Sequence, residues 1–424
     1  MLDNLPPAVT SAEDREKSLF DEDYYLKRHP DVAAAVKDGR VRDGWSHYVR
    51  SGRRENRDAR LGDFNPAFYT KAYTRACEEV AAGMAEGMLD HYTRFGRARG
   101  YLPDPEAPRP DYPDAIPSRF GGLWFDAANG EDLIAGKEEI GLITEDQARL
   151  LRKFRRDGFV VLPGALSPEL CDRATEVLDR AYSGKLEGQL FECARLFGDF
   201  TPNPWRPEVN AANGKALAVH YLSGAVRDLI FAPAISEFLK LAFESFALAS
   251  QTLGFLRGSG QEGHQDTAYV NYTRPRNFVA SWAALEDVTV GAGELFYYVG
   301  SHKIDDFLFG GKYKVMYDCM RANGGKLPPG EAAEFVRSLE RRAQEGDLPK
   351  EVFAAKKGDV LFWHADLVHG GNPVSADITR KSIVTHYCPI RLAPLYFESG
   401  RRKVYRHREH YYTSRLYSDR EPGE

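Results

Sequence analysis

The sequence predicts a mainly β core with surrounding helices, preceded by a small all-α repeat domain. Three observations carry this. A 44-residue repeat occupies the N-terminal region, a proline-rich stretch follows it, and from about residue 245 short apolar runs punctuated by glycine and proline take over. At 424 residues the chain is longer than one ordinary compact domain. Its 43% apolar and 28% charged residues supply a substantial core.

The repeat comes first. Phe20-Asp-Glu-Asp-Tyr-Tyr25 recurs as Phe64-Asn-Pro-Ala-Phe-Tyr69, and Ser46-His-Tyr-Val-Arg-Ser-Gly52 recurs as Asp90-His-Tyr-Thr-Arg-Phe-Gly96. The pairs Phe20/Phe64, His47/His91, Tyr48/Tyr92 and Gly52/Gly96 share one offset of 44 residues, which marks a helical repeat over 18–104. His47 and His91 are expected as repeated packing residues, and Gly52 and Gly96 as helix C-caps. Six prolines between residues 101 and 120 then predict an extended linker, drawn here as 105–141.

The next domain spans 142–399. Thr144-Glu-Asp-Gln147 reads as a capping box opening a helix that stops at Asp157-Gly158. Phe159–Leu162 reads as a buried strand, and Ser167-Pro168 as the start of a second helix. Strands are expected at 246–256, 264–272, 277–285, 294–299, 358–363 and 381–389, a pattern of sandwich or jelly-roll type. Residues 303–356 form an insertion with a charged helix near 329–344, either a lid or a surface decoration.

Chemistry concentrates at His264-Gln-Asp266, His369 and Arg380. Residues two apart on a strand share a face, so His264 and Asp266 can hold one metal together. His369 follows the strand at 358–363 and supplies a third ligand. Two imidazoles and one carboxylate leave coordination positions open, the pattern of a non-haem Fe(II) site that must admit O2 and a co-substrate. Thiolates that would favour zinc are absent from it. Arg380 adds a guanidinium fork for a small dicarboxylate such as 2-oxoglutarate, which lysine does not imitate. His364 is a rival ligand, but eleven residues beyond it stands Ser375, whereas eleven beyond His369 stands Arg380. His302 reads as a turn residue.

Over 142–399 the chain resembles the phytanoyl-CoA dioxygenase (PhyH) family of Fe(II)/2-oxoglutarate oxygenases. The resemblance lies in Asp157-Gly-Phe-Val-Val-Leu-Pro163, His264-Gln-Asp266, Gly293-Glu-Leu-Phe-Tyr-Tyr-Val-Gly-Ser-His302, Lys357-Gly-Asp-Val-Leu-Phe-Trp-His364 and Leu367-Val-His-Gly-Gly371 through Arg380. It implies a double-stranded β-helix, iron held by His264, Asp266 and His369, and 2-oxoglutarate anchored by Arg380. It also implies that Trp282 lines the co-substrate pocket, with a plain core aromatic as the alternative. Ser382 is expected to add a hydrogen bond there. The implied reaction is hydroxylation of a C–H bond in a small-molecule or glycan- or lipid-linked substrate. Because related halogenases lack the carboxylate, Asp266 favours hydroxylation over halogenation. The competing readings are an inactive scaffold of the same fold tied to cell-surface glycan assembly, and a zinc hydrolase.

Arg274, Arg276, Lys303, Lys312 and Lys314 suit an anionic substrate or a solvated charged loop, and Tyr269, Tyr272, Tyr297 and Tyr298 suit a pocket or a β core. The N-terminal units resemble short repeats appended to bacterial proteins that handle cell-surface glycans, which implies a protein partner. The basic, tyrosine-rich tail at 400–424 reads as a segment docking on an acidic patch rather than as a nucleic-acid binder. The net charge of −5 is neutral on the question of partners. No apolar run reaches membrane-spanning length, Met1 to Glu16 lacks an apolar leader core, and five scattered cysteines suit reduced thiols, so the expectation is a cytoplasmic protein.

Overall fold

The apolar runs of the second half fold into two facing sheets in a computed structural model of the chain. The structure describes residues 12–55, 57–96, 101, 103–104, 118–198, 200–375, 377–392, 394–395, 403–417 and 420–423. The chain divides into two compact units, one of residues 1–112 with 131–143 and one of 113–130 with 144–424.

In the first unit each copy of the repeat carries short helices, Glu22–Arg28, Pro30–Lys37 and Gly44–His47 in one and Pro66–Ala72, Thr74–Ala81 and Met88–His91 in the other. Tyr25 Oη meets His47 Nδ1 at 3.1 Å, and Tyr69 Oη meets His91 Nδ1 at 2.9 Å. The two histidines are therefore repeated packing partners of the two tyrosines. The glycines have a different role from the one expected. Neither Gly52 nor Gly96 has a positive φ; each ends a short π-helical turn. A Cβ on Gly52 would overlap Tyr25 Oη, and one on Gly96 would overlap Tyr69 Oη. The glycine of each unit is thus fixed by close approach of the tyrosine that bonds the histidine. Gly52→Ala is expected to destabilise this unit by about 1–3 kcal/mol, the usual cost of overpacking, read as a lower unfolding midpoint in denaturant.

Part of the expected linker, 105–117, lies outside the described residues. The remainder is not extended. Gly130–Glu139 is an α-helix with Glu131 and Asp132 in its first turn and Leu133, Ile134 and Lys137 buried. The prolines end before it, and its buried residues Gly130, Leu133, Ile134 and Lys137 recur at helical spacing. Residues 118–128 belong to the second unit. There Arg155 Nε donates to Phe125 O at 2.9 Å and Trp124 Nε1 to Leu241 O at 2.9 Å.

The second unit carries the strands β1 (Phe159–Leu162), β2 (Leu190–Glu192), β3 (Asn203–Pro204), β4 (Lys215–Leu217), β5 (Ala247–Phe255), β6 (Val279–Ala284), β7 (Leu295–Tyr298), β8 (Lys350–Phe353), β9 (Val360–His364), β10 (His369–Gly371), β11 (Ser382–Pro389), β12 (Tyr405–His407) and β13 (His410–Tyr412). Among the described residues they form a large sheet in the order β1-β9-β6-β11-β5-β4-β2-β3, with the β12–β13 hairpin added on β5, and a small sheet β10-β7-β8. Alternation along the strands aims Phe159, Phe255, Trp282, Leu361, Trp363 and Val384 of the large sheet at Leu295, Tyr297 and Phe353 of the small one. This is the expected mainly β core with surrounding helices.

The outer face of the large sheet is also buried, which is why its strands read as apolar runs rather than alternating ones. Phe362 packs on Phe238 with ring centroids 4.3 Å apart, and Tyr387 Oη donates to Ile230 O at 2.8 Å. The helix Glu145–Asp157 has the expected capping box between Thr144 and Gln147 and ends at Gly158, with φ +81°. Pro168–Tyr182 follows the Ser167 cap.

The insertion is more than a surface decoration. Its helix Glu331–Glu345 buries Phe335, Leu339 and Ala343 against Ala268, Phe296, Tyr298 and Val368, so it is a layer of the core. Its last residues form β8, paired with β7. The tail docks on its own unit: Asp228 accepts from His407 and Arg408 at 3.0 and 3.3 Å, and β13 runs parallel to β5. Among the described residues, no helix is long and apolar enough to cross a membrane.

Candidate metal centre

The three expected ligands meet in one place. His264 N donates to His369 O at 2.9 Å and His369 N to His264 O at 3.0 Å, an antiparallel bridge that sets the rings 4.4 Å apart. Gln265 continues extended, and Asp266 then opens a 3-10 turn, Asp266–Ala268. The strand expected at 264–272 therefore ends after two residues. Asp266 O accepts from the backbone N of both Tyr269 and Val270, and this turn replaces a ladder. The extended step is long enough to bring His264 and Asp266 together. One ligand atom from each of His264, Asp266 and His369 lies within 4.8 Å of the others, and all three residues are buried.

The surroundings fix which atoms face the centre. His264 Nδ1 bonds Glu262 O and His369 Nδ1 bonds Leu367 O, both at 2.9 Å. A carbonyl only accepts, so each Nδ1 carries the proton and each Nε2 presents a lone pair. Those Nε2 atoms lie 3.7 and 3.8 Å from Asp266 Oδ1. The other carboxylate oxygen, Oδ2, accepts from Trp363 Nε1 at 2.8 Å and faces His386 Nε2 at 3.2 Å. Burial, reinforced by His369, pushes His264 down to about 3, so its ring is neutral. Burial works against ionisation of Asp266, but His369, His386 and His264 outweigh it and hold the carboxyl well below its usual range.

Trp363 and His386 are the site residues that the sequence analysis missed. His386 had a signal, since it lies on the face of β11 that also carries Ser382 and Val384. Trp363 sat inside a matched motif, but nothing local pairs an indole with a carboxylate 97 residues away. Trp363→Phe is expected to weaken divalent-metal affinity by about tenfold, the lower end for a lost ligand-orienting bond, read in a metal titration of the purified protein.

A cavity extends from this centre to Arg380, bordered by Leu253, Phe255, Trp282, Leu295, Val384 and His386. Arg380 is 3% exposed, its Nη1 donates to Gly293 O at 2.7 Å, and among the described residues its Nε has no hydrogen-bond partner. Burial lowers it to about 10 against the opposing pull of Glu294, so it stays charged at neutral pH. Trp282 lies with its ring centre 5.4 Å from the guanidinium carbon, and its buried Nε1 also lacks a partner among the described residues. It is both a core aromatic and a cavity wall. Ser382 is not part of the wall: its hydroxyl donates to Arg380 O at 3.4 Å, supporting the backbone that carries the guanidinium.

The rivals and the expected cations fall elsewhere. His364 turns to the opposite side of β9, where its Nε2 meets Asp126 Oδ2 at 3.0 Å and its Nδ1 accepts from Asp366 N. His302 packs on it, with ring centroids 5.1 Å apart. Neither Arg274, Lys303 nor Lys312 borders the cavity. Arg276 and Lys314 are buried in ion pairs with Asp366, because charges inside a protein survive only when paired. The four tyrosines do not border it either. Lys215 does, and it is paired with Glu192 at 3.2 Å.

Two imidazoles and a carboxylate, gathered at the mouth of an apolar β core with faces left open, are the ligand set of a non-haem iron oxygenase. The chain belongs to the phytanoyl-CoA dioxygenase (PhyH) family, whose model matches residues 154–382, more than half of its length. A curated relative, phytanoyl-CoA dioxygenase domain-containing protein 1 of Danio rerio, is 23% identical over 278 residues, covering 56% of this chain and 88% of that protein. Among solved structures, the epimerase SnoN in complex with Fe3+, alpha-ketoglutarate and nogalamycin RO is 20% identical with a TM-score of 0.41, covering 59% of this chain and 86% of that one. EctD from S. alaskensis with 2-oxoglutarate and 5-hydroxyectoine is 18% identical with a TM-score of 0.42, covering 61% and 82%.

Iron and 2-oxoglutarate come with the family, and the residues present fit both. Oxygen and nitrogen donors suit Fe(II), and a buried guanidinium with an unused N–H suits a carboxylate.

Proposed function

We propose that the chain is an Fe(II)/2-oxoglutarate-dependent hydroxylase of a small molecule, with His264, Asp266 and His369 as iron ligands and Arg380 as the anchor of the co-substrate. The observation that carries this is Arg380. Among the described residues this buried cation makes no ion pair and its Nε has no hydrogen-bond partner, Glu294 attracting it only from beyond ion-pair distance, and it shares a cavity with the three candidate ligands. A carboxylate placed there would neutralise it.

When bound, iron and 2-oxoglutarate supply the oxidising chemistry: O2 is consumed, 2-oxoglutarate leaves as succinate and CO2, and one oxygen atom enters a substrate C–H bond. The protein contributes orientation and exclusion of water. Glu262 O and Leu367 O hold the two imidazoles with Nε2 inward, and Trp363 and His386 hold Asp266 with Oδ1 inward. Leu253, Phe255, Leu295 and Val384 keep the space before Arg380 apolar, which strengthens its attraction for a carboxylate. Asp266 occupies the position whose loss accompanies halogenation in related enzymes, which supports hydroxylation. Four of the five cysteines are buried and all are free, which supports a reducing, cytoplasmic setting.

The test is succinate release from 2-oxoglutarate with Fe(II), O2 and a panel of small-molecule substrates. Wild type should release succinate and His264→Ala should not. Equal release by the two proteins would remove the oxygenase reading.

A further inference from the structure

A buried ionic cluster lies directly behind the metal turn and is used by none of the steps above. Its hub is Asp366, 2% exposed and three residues before His369. Asp366 Oδ1 accepts from Lys314 Nζ at 3.0 Å and from Thr267 Oγ1 at 2.5 Å, and Oδ2 accepts from Arg276 Nε at 2.5 Å. Lys314 also reaches Asp306 Oδ1 at 2.7 Å and Gln265 Oε1 at 3.5 Å, so its three N–H donors are all engaged. The Gln265 amide in turn donates to Asp366 O at 2.7 Å. Arg276 Nη1 and Nη2 donate to Gly121 O and His302 O.

The arrangement has a direction. Gln265 and Thr267 flank Asp266 on both sides, and both are tied to the loop that carries His369. The ammonium that closes the network comes from the insertion, where Lys314 is 4% exposed. Burying two cations and the Asp366 carboxylate, with Asp306 half-buried beside Lys314, is expensive, and apolar residues of the same volume often serve stability as well. A network of this kind makes sense where geometry matters more than stability. Asp366 stays ionised, because Lys314 and Arg276 together outweigh the burial that opposes its charge.

We propose that Lys314, acting through Asp366 and Gln265, is a positioning residue for the metal-binding turn, so that the 303–356 insertion sets the affinity of the site for its metal. This rests on His264, Asp266 and His369 being the metal ligands. The full chain is tested with Co(II) as the probe, its dissociation constant measured by competition with a chelating dye. Lys314→Met and Thr267→Val are each expected to raise that constant by about tenfold or more, the range for groups that orient a ligand, and to shift the visible ligand-field spectrum of bound Co(II). Val177→Ala, a core truncation in the helix after β1, should lower the melting temperature and leave both readouts unchanged. Thr267→Val removes a single hydrogen bond with little change in volume, and it decides the matter if Lys314→Met does not fold. Wild-type affinity and spectrum in the folded variants would overturn the proposal. Failure of wild type to bind Co(II), or wild-type binding by His264→Ala, would instead overturn the ligand assignment beneath it.

Discussion

Arg380→Ala is expected to weaken 2-oxoglutarate binding to the metal-loaded protein by about 100-fold or more, while metal affinity stays close to wild type. Truncating one partner of a buried charge pair costs about 2–5 kcal/mol, and each 1.4 kcal/mol is about a factor of ten. Arg380 meets this description once a carboxylate sits against it. It is buried beside Trp282 and Phe255, and its Nε is unused. The metal should be indifferent, because Arg380 makes no bond to His264, Asp266 or His369 and donates instead to Gly293 O. Arg380→Lys restores the charge and not the planar fork, so it should recover only part of the affinity. Calorimetric titration of 2-oxoglutarate into the three proteins reads the effect directly. Equal affinity in Arg380→Ala and wild type would mean that the guanidinium has another purpose.

Asp266→Ala is expected to lower metal affinity by at least about 100-fold, more than the range for losing a ligand-orienting partner, and to take succinate formation below detection. Three effects add. The substitution removes the anionic member of the ligand set. It removes the acceptor of Trp363 Nε1 and the partner of His386 Nε2, and each buried group left unsatisfied costs about 1–3 kcal/mol. It also removes the negative charge lying 3.7 and 3.8 Å from the two imidazole Nε2 atoms. Metal content after gel filtration, together with Co(II) titration, measures the loss. Retention of metal at wild-type stoichiometry would exclude Asp266 as a ligand.

The parts of this site that were legible in the sequence are those governed by local spacing. The two-residue spacing put His264 near Asp266, though through one extended step into a 3-10 turn rather than along the expected strand, and the eleven-residue step from His369 to Arg380 separated His369 from His364. The capping box at Thr144, the Gly158 stop and the Ser167-Pro168 start were equally readable, because caps are chemistry between neighbours in the chain. Expected strand limits at 246–256, 277–285 and 381–389 lie within two residues of β5, β6 and β11.

What escaped was set by contacts distant in sequence. Tyr269 and Val270 have strand-forming side chains, yet Asp266 O claims both of their N–H groups and the chain turns. Arg276 and Lys314 look like solvated or substrate-facing cations until Asp366, 90 residues beyond Arg276, is placed between them. Gly52 and Gly96 look like C-caps until the tyrosine hydroxyl at each position is seen. Trp363 and His386 become site residues only when β9 and β11 lie on either side of β6. In each case the residue type was visible and its partner was not.

The proposed site is one cavity that holds a metal at His264, Asp266 and His369 and a dicarboxylate at Arg380. It is tested most directly by anaerobic titration of 2-oxoglutarate into wild type and His264→Ala, each with and without Fe(II). The account predicts one binding event per chain in wild type with Fe(II), and its loss both when the metal is omitted and when His264 is replaced. Binding that is the same in all four titrations, or absent from all four, would contradict it.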